Sequence, residues 1–406
     1  MMRVAHVYDG HEMVYDGRGS VPDVVWNIAK HTAAKGHDVR VIERNWEGLD
    51  RTEVREGVQF ERLRLRTGSD EPWEDIPYQM VASAGGVAKL LVDRTNFAVQ
   101  TLRALRRTEY DVIHVHLPFT ANVLATVAPW LREKMVYTAH IGEIEKRVTD
   151  PRVSPDVYLA NRAARTFVLN PEMRSAFEER GVPSERLTVV PNGVDLDRFD
   201  DLDSSNHERV RREYDLLGDQ VVLFVGTITP RKGIADLVEA VAQIDGSDAL
   251  DDAQFVLVGR TDLEAKYVDR IRSAVEENGL EDEITFTGFI SNEDLLTLYD
   301  LADLFVLPSY EEGSSVAVTE AIASGTPVVA TDIGGTAQQI VEGTHGYLVP
   351  PGSPGELGER MEYVLTHPQK HRDMKRAVRD RADEFSWERI TDRITDTYRR
   401  LPGSDD

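Results

Sequence analysis

The sequence predicts an α/β protein with two domains, each built on a doubly wound parallel sheet. Two observations lead to this fold class. Short β-branched runs alternate with amphipathic helical stretches along the whole chain, which is typical of parallel sheets covered by helices on both faces. The chain of 406 residues is also too long for a single domain, because a typical domain holds about 100–200 residues. Two buried cores are therefore expected.

The first half of the chain contains six predicted strands and a seventh candidate. The six lie at residues 3–8, 39–42, 112–116, 135–138, 166–169 and 187–190, and the candidate lies at residues 58–65. A long periodic stretch over residues 88–107 predicts a helix, and its basic end suits a helix C-terminus.

An acidic, polar stretch near the middle marks the predicted domain boundary. We expect an N-terminal domain over residues 1–195, a linker over 196–217, a second domain over 218–384, and a final helical segment with a frayed tail over 385–406. The strands and helices of the second half are expected at residues 221–225, 234–244, 255–258, 263–278, 284–287, 293–299, 304–307 and 328–330.

Composition excludes several classes of protein. No apolar run approaches the ~20 residues that a membrane-spanning helix needs. The absence of cysteine excludes disulfides, thiolate nucleophiles and cysteine-bound zinc. The N-terminal sequence shows no secretory signal, so a cytoplasmic location is expected.

The charge balance is strongly acidic, with 71 acidic against 47 basic residues and a formal net charge of -24. Such a field disfavours nucleic acid as a partner. It is typical of proteins from salt-accumulating organisms, where molar salt screens the repulsion, so a halophilic protein is expected. An anionic ligand would have to be held locally, by a few cations and backbone amides.

Three segments share one design, in which a strand runs into a loop rich in small residues and then into a helix. This design directs backbone N–H groups and a positive helix end at an anion. The loops contain Gly17 and Gly19; Gly226, Thr227, Arg231 and Lys232; and Gly313, Ser314 and Ser315, followed by Glu320. Since parallel sheets bind ligands at the carboxyl ends of their strands, the three loops are expected around one cleft between the domains.

Several motifs give the chain a resemblance to a known family. Glu312 and Glu320 are separated by seven residues, and they lie in the segments 308–313 and 320–331. Further motifs occupy residues 111–116, 138–140, 190–195, 334–335 and 346–349. Over nearly its whole length the chain resembles the family 4 retaining glycosyltransferases of the GT-B fold, which have two Rossmann-like domains facing an interdomain cleft. The resemblance also implies that the final helix crosses back to the first domain.

The resemblance implies roles for three catalytic candidates. Glu312 would bind hydroxyls of the donor sugar, Lys232 would pair with its diphosphate, and His140 would approach the sugar from the first domain. The resemblance further implies that Glu320 accepts hydrogen bonds from the nucleotide ribose.

Backbone groups complete the donor site that the resemblance implies. The amides of Ser314, Ser315 and Val316 would hold diphosphate oxygens at a helix start, and the glycine loops named above would approach the nucleotide sugar. The chain departs from the family where Thr227 replaces a frequent arginine and where Gln338 replaces a glutamate. Arg231 is then the expected substitute cation.

The implied reaction moves a hexose from a UDP- or GDP-linked sugar to a hydroxyl of a sugar, lipid-linked or small-molecule acceptor. No cofactor or metal is expected. His114 and His116 alternate on one strand and face one side, so a metal pair is conceivable, but the sequence indicates no third ligand. Arginines in segment 51–66 and at 103, 106 and 107 leave peripheral contact with the cytoplasmic membrane face open, against the alternative of ordinary solvated surfaces.

Two rival functions remain open from the sequence. One is a nucleotide-sugar epimerase on the same architecture, which would alter the sugar without transferring it. The other is a non-catalytic two-lobed sugar-binding protein, which would require export.

Overall fold

The computed structural model describes residues 1–15, 19–65, 80, 83–200, 202, 205–244 and 253–402. The chain divides into two compact units. Met1–Asn192 and Trp387–Asp406 form the first unit, and Gly193–Ser386 form the second. Each unit contains one sheet with helices around it, which confirms the predicted α/β fold class with two parallel-sheet domains.

The first unit contains an eight-stranded sheet. Its strands are β1 (Arg3–Val7), β2 (Asp38–Arg44), β3 (Thr52–Arg55), β4 (Val58–Leu63), β5 (Val112–Val115), β6 (Met135–Thr138), β7 (Arg165–Val168) and β8 (Leu187–Val189). They are ordered β3-β4-β2-β1-β5-β6-β7-β8. All neighbours are parallel except β3 and β4, which form an antiparallel hairpin. Strand β3 was not predicted, because its exposed, charged sequence carries no alternating apolar signal.

Helices cover both faces of this sheet. The α-helices of the first unit are Ser20–Ala34, Ala84–Leu105, Pro118–Val127, Pro155–Ala160, Pro171–Glu179 and Trp387–Arg399. On one face, Val4 and Val112 share a core with Ile28 of the first helix and Ile394 of the last. On the other face, Ala5 and other residues pack against the remaining helices. The final helix is therefore an integral part of the first unit.

The second unit contains a six-stranded sheet that is parallel throughout. Its strands are β9 (Gln220–Val225), β10 (Ala253–Val258), β11 (Ile284–Gly288), β12 (Leu304–Leu307), β13 (Val328–Thr331) and β14 (Gly346–Val349), in the order β11-β10-β9-β12-β13-β14. The edge strand β14 was not predicted as a strand, although its residues were noted as a motif. Its α-helices are Ser205–Glu213, Ile234–Ile244, Ala265–Asn278, Asn292–Leu301, Val316–Ser324, Thr336–Gln339, Pro354–Thr366 and Pro368–Ala382.

The acidic stretch that was expected to be a linker is folded within the second unit. It contains the 3-10 turn Leu196–Phe199 and the helix Ser205–Glu213. Arg209 of that helix donates to Asp294 Oδ1 at 2.6 Å, and His207 Nε2 lies 2.7 Å from Asp300 Oδ2. This stretch was predicted to be a linker because its composition is polar. The composition is polar because the helix buries only Val210 and contacts the neighbouring helix through ion pairs.

Both sheets reverse their strand order at one position. In the first sheet β1 lies between β2 and β5, and in the second β9 lies between β10 and β12. Connections leave such a pair of strands in opposite directions, so a crevice opens at the carboxyl ends of the two strands. The loops after β1 and β5, and those after β9 and β12, are therefore the places where each unit is expected to bind a ligand.

Candidate functional site

The loops after β9 and β12 approach each other closely in the second unit. Gly226 and Thr227 follow β9, and the 3-10 turn Pro230–Lys232 leads into Gly233, where φ is +66°. A Cβ atom added to Gly233 would lie 1.9 Å from the carbonyl oxygen of Pro308. Only glycine combines an easily adopted positive φ with the absence of a Cβ atom. Gly233 therefore allows the loop that carries Arg231 and Lys232 to pack on the loop that carries Glu312.

Lys232 and Glu312 form an ion pair at the meeting point of these loops. Lys232 Nζ lies 2.5 Å from Glu312 Oε1, and Ser309 Oγ donates to the same oxygen at 2.8 Å. The exposed fractions of the lysine and glutamate side chains are 11% and 9%. The structure thus brings together the two residues that were expected to serve the diphosphate and the sugar.

Arg231 also lies near the same carboxylate oxygen of Glu312. Its Nη1 atom donates to the carbonyl oxygen of Glu311 at 2.6 Å and lies 3.7 Å from Glu312 Oε1. Its own carbonyl oxygen accepts from the amide of Tyr310 at 2.8 Å. Glu312 therefore faces two cations, and Arg231 is oriented by the neighbouring loop.

The environment of Glu312 keeps the carboxylate ionised. Burial opposes ionisation, but Lys232 and Arg231 outweigh it, so the pKa of Glu312 lies below its ordinary value. Hydrogen bonds from Lys232 and Ser309 act in the same direction. The glutamate is thus an acceptor of hydrogen bonds near neutral pH and has no proton to donate.

The segment after Glu312 forms a helix start. Gly313, Ser314 and Ser315 are buried, and the Ser315 side chain accepts from the amide of Val318 as the N-cap of the helix Val316–Ser324. A Cβ atom added to Gly335 would lie 2.2 Å from the Gly313 carbonyl oxygen, so a second glycine segment packs directly against this loop. The N-cap residue Ser315 follows Glu312 by three residues in the chain, and the positive end of the helix begins there.

Glu320 lies on the second turn of the same helix and is largely buried. Tyr299 donates its hydroxyl hydrogen to Glu320 Oε2 at 3.0 Å, and Arg198 Nη1 lies 3.3 Å from Oε1. Burial and the neighbouring Glu320 carboxylate raise the pKa of Tyr299 well above its ordinary value, so the phenol stays protonated and donates.

Arg198 and Tyr299 were not singled out in the sequence. Arg198 lies within the stretch expected to be a linker, and Tyr299 lies on the core-facing side of the helix Asn292–Leu301. Since both partners are more than 20 residues from Glu320 along the chain, only the fold brings the three residues together. They orient the carboxylate at the edge of the predicted donor site.

The glycine loop after β1 is described only in part. Gly17 lies outside the described residues. Gly19 is the N-cap residue of the helix Ser20–Ala34 and offers no side chain to cap it. Asp9, in the same loop, is buried and accepts from the amide of Thr120 at 3.3 Å.

A cluster of histidines occupies the switch point of the first sheet. His6 on β1 and His114 on β5 are register partners, and His116 follows directly after β5. His6 Nδ1 lies 3.0 Å from His116 Nε2, and His116 Nδ1 lies 3.1 Å from His140 Nε2. Burial lowers the pKa of His140 to about 3, which makes its imidazole neutral at physiological pH.

The histidine pair considered as a metal site gains a neighbour in the structure. Ligand atoms of His6, His114 and His116 lie within 4.8 Å of one another, and among the described residues this is the group whose geometry could hold an ion. Nothing in the sequence indicated this third histidine, which the fold brings next to the pair. However, His114 already meets the hydroxyls of Tyr398 and Thr138, each at 2.6 Å.

The arginines of segment 51–66 and of the helix end differ in their surroundings. Arg62 is buried and pairs with Glu43 at 2.9 Å, whereas Arg107 is exposed and lies 3.5 Å from Glu61. Arg51, Arg64 and Arg107 line a groove of about 420 Å³ beside the hairpin. Arg66 lies outside the described residues. No helix in the described ranges combines the length and apolar character needed to cross a membrane.

Two family profiles match this chain. The profile described as Glycosyltransferase Family 4 matches residues 21–198, and the one described as Glycosyl transferases group 1 matches residues 206–381. Together they extend over both units. The second match includes the donor-site residues of the second unit named above, except Arg198, which lies at the end of the first match.

The chain is similar to proteins named D-inositol 3-phosphate glycosyltransferase. One from Corynebacterium aurimucosum is 28% identical over 398 residues, covering 94% of this chain and 90% of that protein. Another, from Mycobacterium tuberculosis, is 29% identical over 393 residues, covering 92% of this chain and 77% of that protein.

Solved structures share the fold. Sucrose-phosphate synthase from Thermosynechococcus elongatus superimposes with a TM-score of 0.80 at 24% identity, covering 99% of each chain. HepE from Anabaena, solved in complex with UDP and glucose, has a TM-score of 0.73 at 22% identity and covers 98% of this chain and 99% of that one.

Proposed function

Because this chain belongs to the family 4 glycosyltransferases of the GT-B fold, we propose that it transfers a hexose, with retention of configuration, from a nucleotide diphosphate sugar to a hydroxyl acceptor. The observation that supports this most is the arrangement in the second unit. Lys232 and Arg231 lie beside Glu312, a helix begins just after it in the chain, and Glu320 lies on that helix.

This arrangement suits the parts of a nucleotide sugar. Lys232, Arg231 and the amides at Ser314, Ser315 and Val316 would meet the diphosphate, because cations and a helix N-terminus both favour phosphate oxygens. Glu320, held by Tyr299 and Arg198, would accept hydrogen bonds from the ribose hydroxyls. Glu312 would accept hydrogen bonds from sugar hydroxyls, since its ionised carboxylate is an acceptor. The loops that contain Gly17, Gly19 and Gly313 would approach the donor through their backbones.

The proposed step exchanges one bond for another at the anomeric carbon. The bond from that carbon to the diphosphate oxygen breaks, and the acceptor oxygen bonds to the same face. The hydroxyl proton of the acceptor passes to the departing phosphate oxygen. The second-unit carboxylate nearest the cations, Glu312, is paired with Lys232 and therefore suits sugar binding better than nucleophilic attack.

The proposed donor is a UDP- or GDP-linked hexose. HepE, which shares the fold, was solved with UDP and glucose, and this supports placing UDP-glucose first in a donor panel. The names of the relatives support testing inositol 3-phosphate first in an acceptor panel. Sugar and lipid-linked acceptors follow, and the groove lined by Arg51, Arg64 and Arg107 is the candidate surface for an anionic lipid or membrane contact.

A donor panel followed by product analysis tests the proposal. Thermal shift with UDP-, GDP- and ADP-linked sugars identifies the donor, and slow hydrolysis without acceptor measures turnover. With an acceptor present, proton NMR of the product gives the anomeric configuration. Net inversion would contradict retention. Conversion of the sugar without release of nucleoside diphosphate would identify an epimerase, and binding of free sugar without turnover would identify a sugar-binding protein.

A further inference from the structure

Three histidines of the first unit form a continuous hydrogen-bonded chain. His6 Nδ1 lies 3.0 Å from His116 Nε2, and His116 Nδ1 lies 3.1 Å from His140 Nε2. The rings of His6 and His116 are stacked with centroids 5.3 Å apart, and those of His116 and His140 with centroids 5.4 Å apart. Each link joins two ring nitrogens, so one nitrogen of each pair must carry the proton.

The imidazole rings of the three linked histidines are neutral. His6 and His116 are fully buried within the sheet, and burial lowers the pKa of His6 to about 3 and that of His116 well below its ordinary value. A neutral imidazole has one N–H and one bare nitrogen. His116 contacts a histidine through both nitrogens, so it donates to one neighbour and accepts from the other. The proton positions of the three rings are therefore linked.

Only two directions are consistent with both hydrogen bonds. In the first, His6 and His116 each donate from Nδ1, and His140 accepts at Nε2 and carries its proton on Nδ1. In the second, all protons lie on Nε2, and His6 has an Nε2–H inside the protein. His6 Nε2 is buried and has no hydrogen-bond partner among the described residues. A buried donor without an acceptor is rarer and costlier than an unused acceptor, which favours the first direction.

We propose that His6 and His116 fix the tautomer of His140, so that His140 presents Nδ1–H as a hydrogen-bond donor. His140 lies just after β6 and is partly exposed, and none of the described residues is hydrogen-bonded to its Nδ1 atom. This atom can therefore donate to a ligand oxygen, but it cannot act as a base. His6 and His116 are positioning residues, and they touch no ligand in this scheme.

The functional consequence rests on the proposed glycosyl transfer, whereas the tautomer does not. A sugar offers hydroxyl oxygens, which accept from an N–H. A bare Nδ1 would instead require the sugar hydroxyl to donate. His6 and His116 thus determine that His140 recognises a hydroxyl oxygen as an acceptor and not a hydroxyl as a donor.

Nitrogen NMR of the full-length, ligand-free protein labelled with ¹⁵N-histidine tests the tautomer directly. Protonated and bare ring nitrogens differ widely in chemical shift, and the His140→Asn spectrum assigns that residue. We expect Nδ1–H on His6, His116 and His140, with scalar coupling between the nitrogens across both hydrogen bonds. Nε2–H on His140, a charged ring, or a bound divalent ion with loss of the couplings would overturn the inference.

Two matched alanine variants test whether the tautomer of His140 depends on its hydrogen bond to His116. In His116→Ala, water can enter the space beside His140 Nε2, so His140 should shift towards Nε2–H, the tautomer that free histidine favours in water. His114→Ala removes an equally buried imidazole whose nitrogens meet Tyr398 and Thr138 instead, and His140 should keep Nδ1–H. An identical response of His140 in both variants would contradict the proposal, and the wild-type spectrum decides the matter if a variant does not fold.

Kinetics separate this inference from the proposed function. If His140 donates to the donor sugar, kcat/KM for the donor should fall about tenfold more in His116→Ala than in His114→Ala, the size expected for one hydrogen bond. Absence of transfer by the wild-type protein would contradict the proposed function and leave the tautomer result standing. Transfer activity together with an Nε2–H tautomer would contradict only the inference made here.

Discussion

Lys232 Nζ lies 2.5 Å from Glu312 Oε1, and both side chains are nearly buried. Because a diphosphate becomes more negative as the glycosidic bond breaks, a cation at Lys232 should contribute more in the transition state than in the ground state. We expect Lys232→Ala to reduce kcat by ~10²–10³, with a smaller change in donor affinity. Single-turnover kinetics and donor titration measure the two effects separately.

Arg231→Ala is the matched control for Lys232. Arg231 is already bonded to the Glu311 carbonyl oxygen and lies further from Glu312, so its loss should reduce kcat less. An equal loss in both variants would show that Arg231 replaces the arginine missing at Thr227. Near-normal turnover in Lys232→Ala, together with a large loss of turnover in Arg231→Ala, would mean that Arg231 and not Lys232 binds the diphosphate.

Glu320→Ala should mainly raise KM for the donor. A hydrogen bond to the ribose exists before and during the reaction, so its loss removes binding that both states share. Tyr299→Phe is the milder variant, because it removes one donor to Glu320 and leaves Arg198 in place. Its KM should lie between those of the wild type and Glu320→Ala. A large fall in kcat at saturating donor, with KM unchanged, would refute the ribose role.

Activity should persist after chelation. In the proposed site, the diphosphate charge meets Lys232, Arg231 and the helix start at Ser315, so no bound ion is required. The measurement compares the initial rate before and after EDTA treatment and dialysis. Complete loss of the rate, restored by a divalent metal, would show that the cationic residues do not suffice.

Gly233→Ala should destabilise the second unit more than Gly279→Ala. Both glycines have similar positive φ angles, +66° and +69°, so each substitution costs about 1–2 kcal/mol from the left-handed backbone. Only at Gly233 would the new Cβ atom collide with the Pro308 carbonyl oxygen, whereas nothing lies within 4 Å at Gly279. Chemical denaturation of both variants measures the difference. Equal losses of stability would mean that the loop at Pro308 moves away from the new Cβ atom at no cost in free energy.

Thermal stability should rise with salt. The net charge of -24 produces repulsion that low ionic strength leaves unscreened, and molar KCl reduces its range to a few Å. Thermal midpoints measured from low to molar KCl should therefore increase. A flat dependence would leave the acidic composition without a role in salt adaptation.

The sequence determined the fold class and most of the strands. Residues 135–138 and 304–307 were predicted with the bounds that the structure shows, because short β-branched runs between helices leave few alternatives to a buried parallel strand. The loops around Lys232 and Glu312 were also identifiable, since glycine followed by cations or serines before a helix has a local physical reason. The exposed strand β3 has no such pattern and was missed.

Contacts between distant residues were decided by the tertiary structure alone. The pairing of Lys232 with Glu312 spans 80 residues, and that of Arg198 with Glu320 spans 122. His6 gave no signal in the sequence, because a single histidine in a strand does not reveal which strand lies beside it. Placing β1 next to β5 brings His6 to His116 and links it to His140. Local sequence specifies elements, whereas the order of strands in each sheet specifies which side chains meet at its edge.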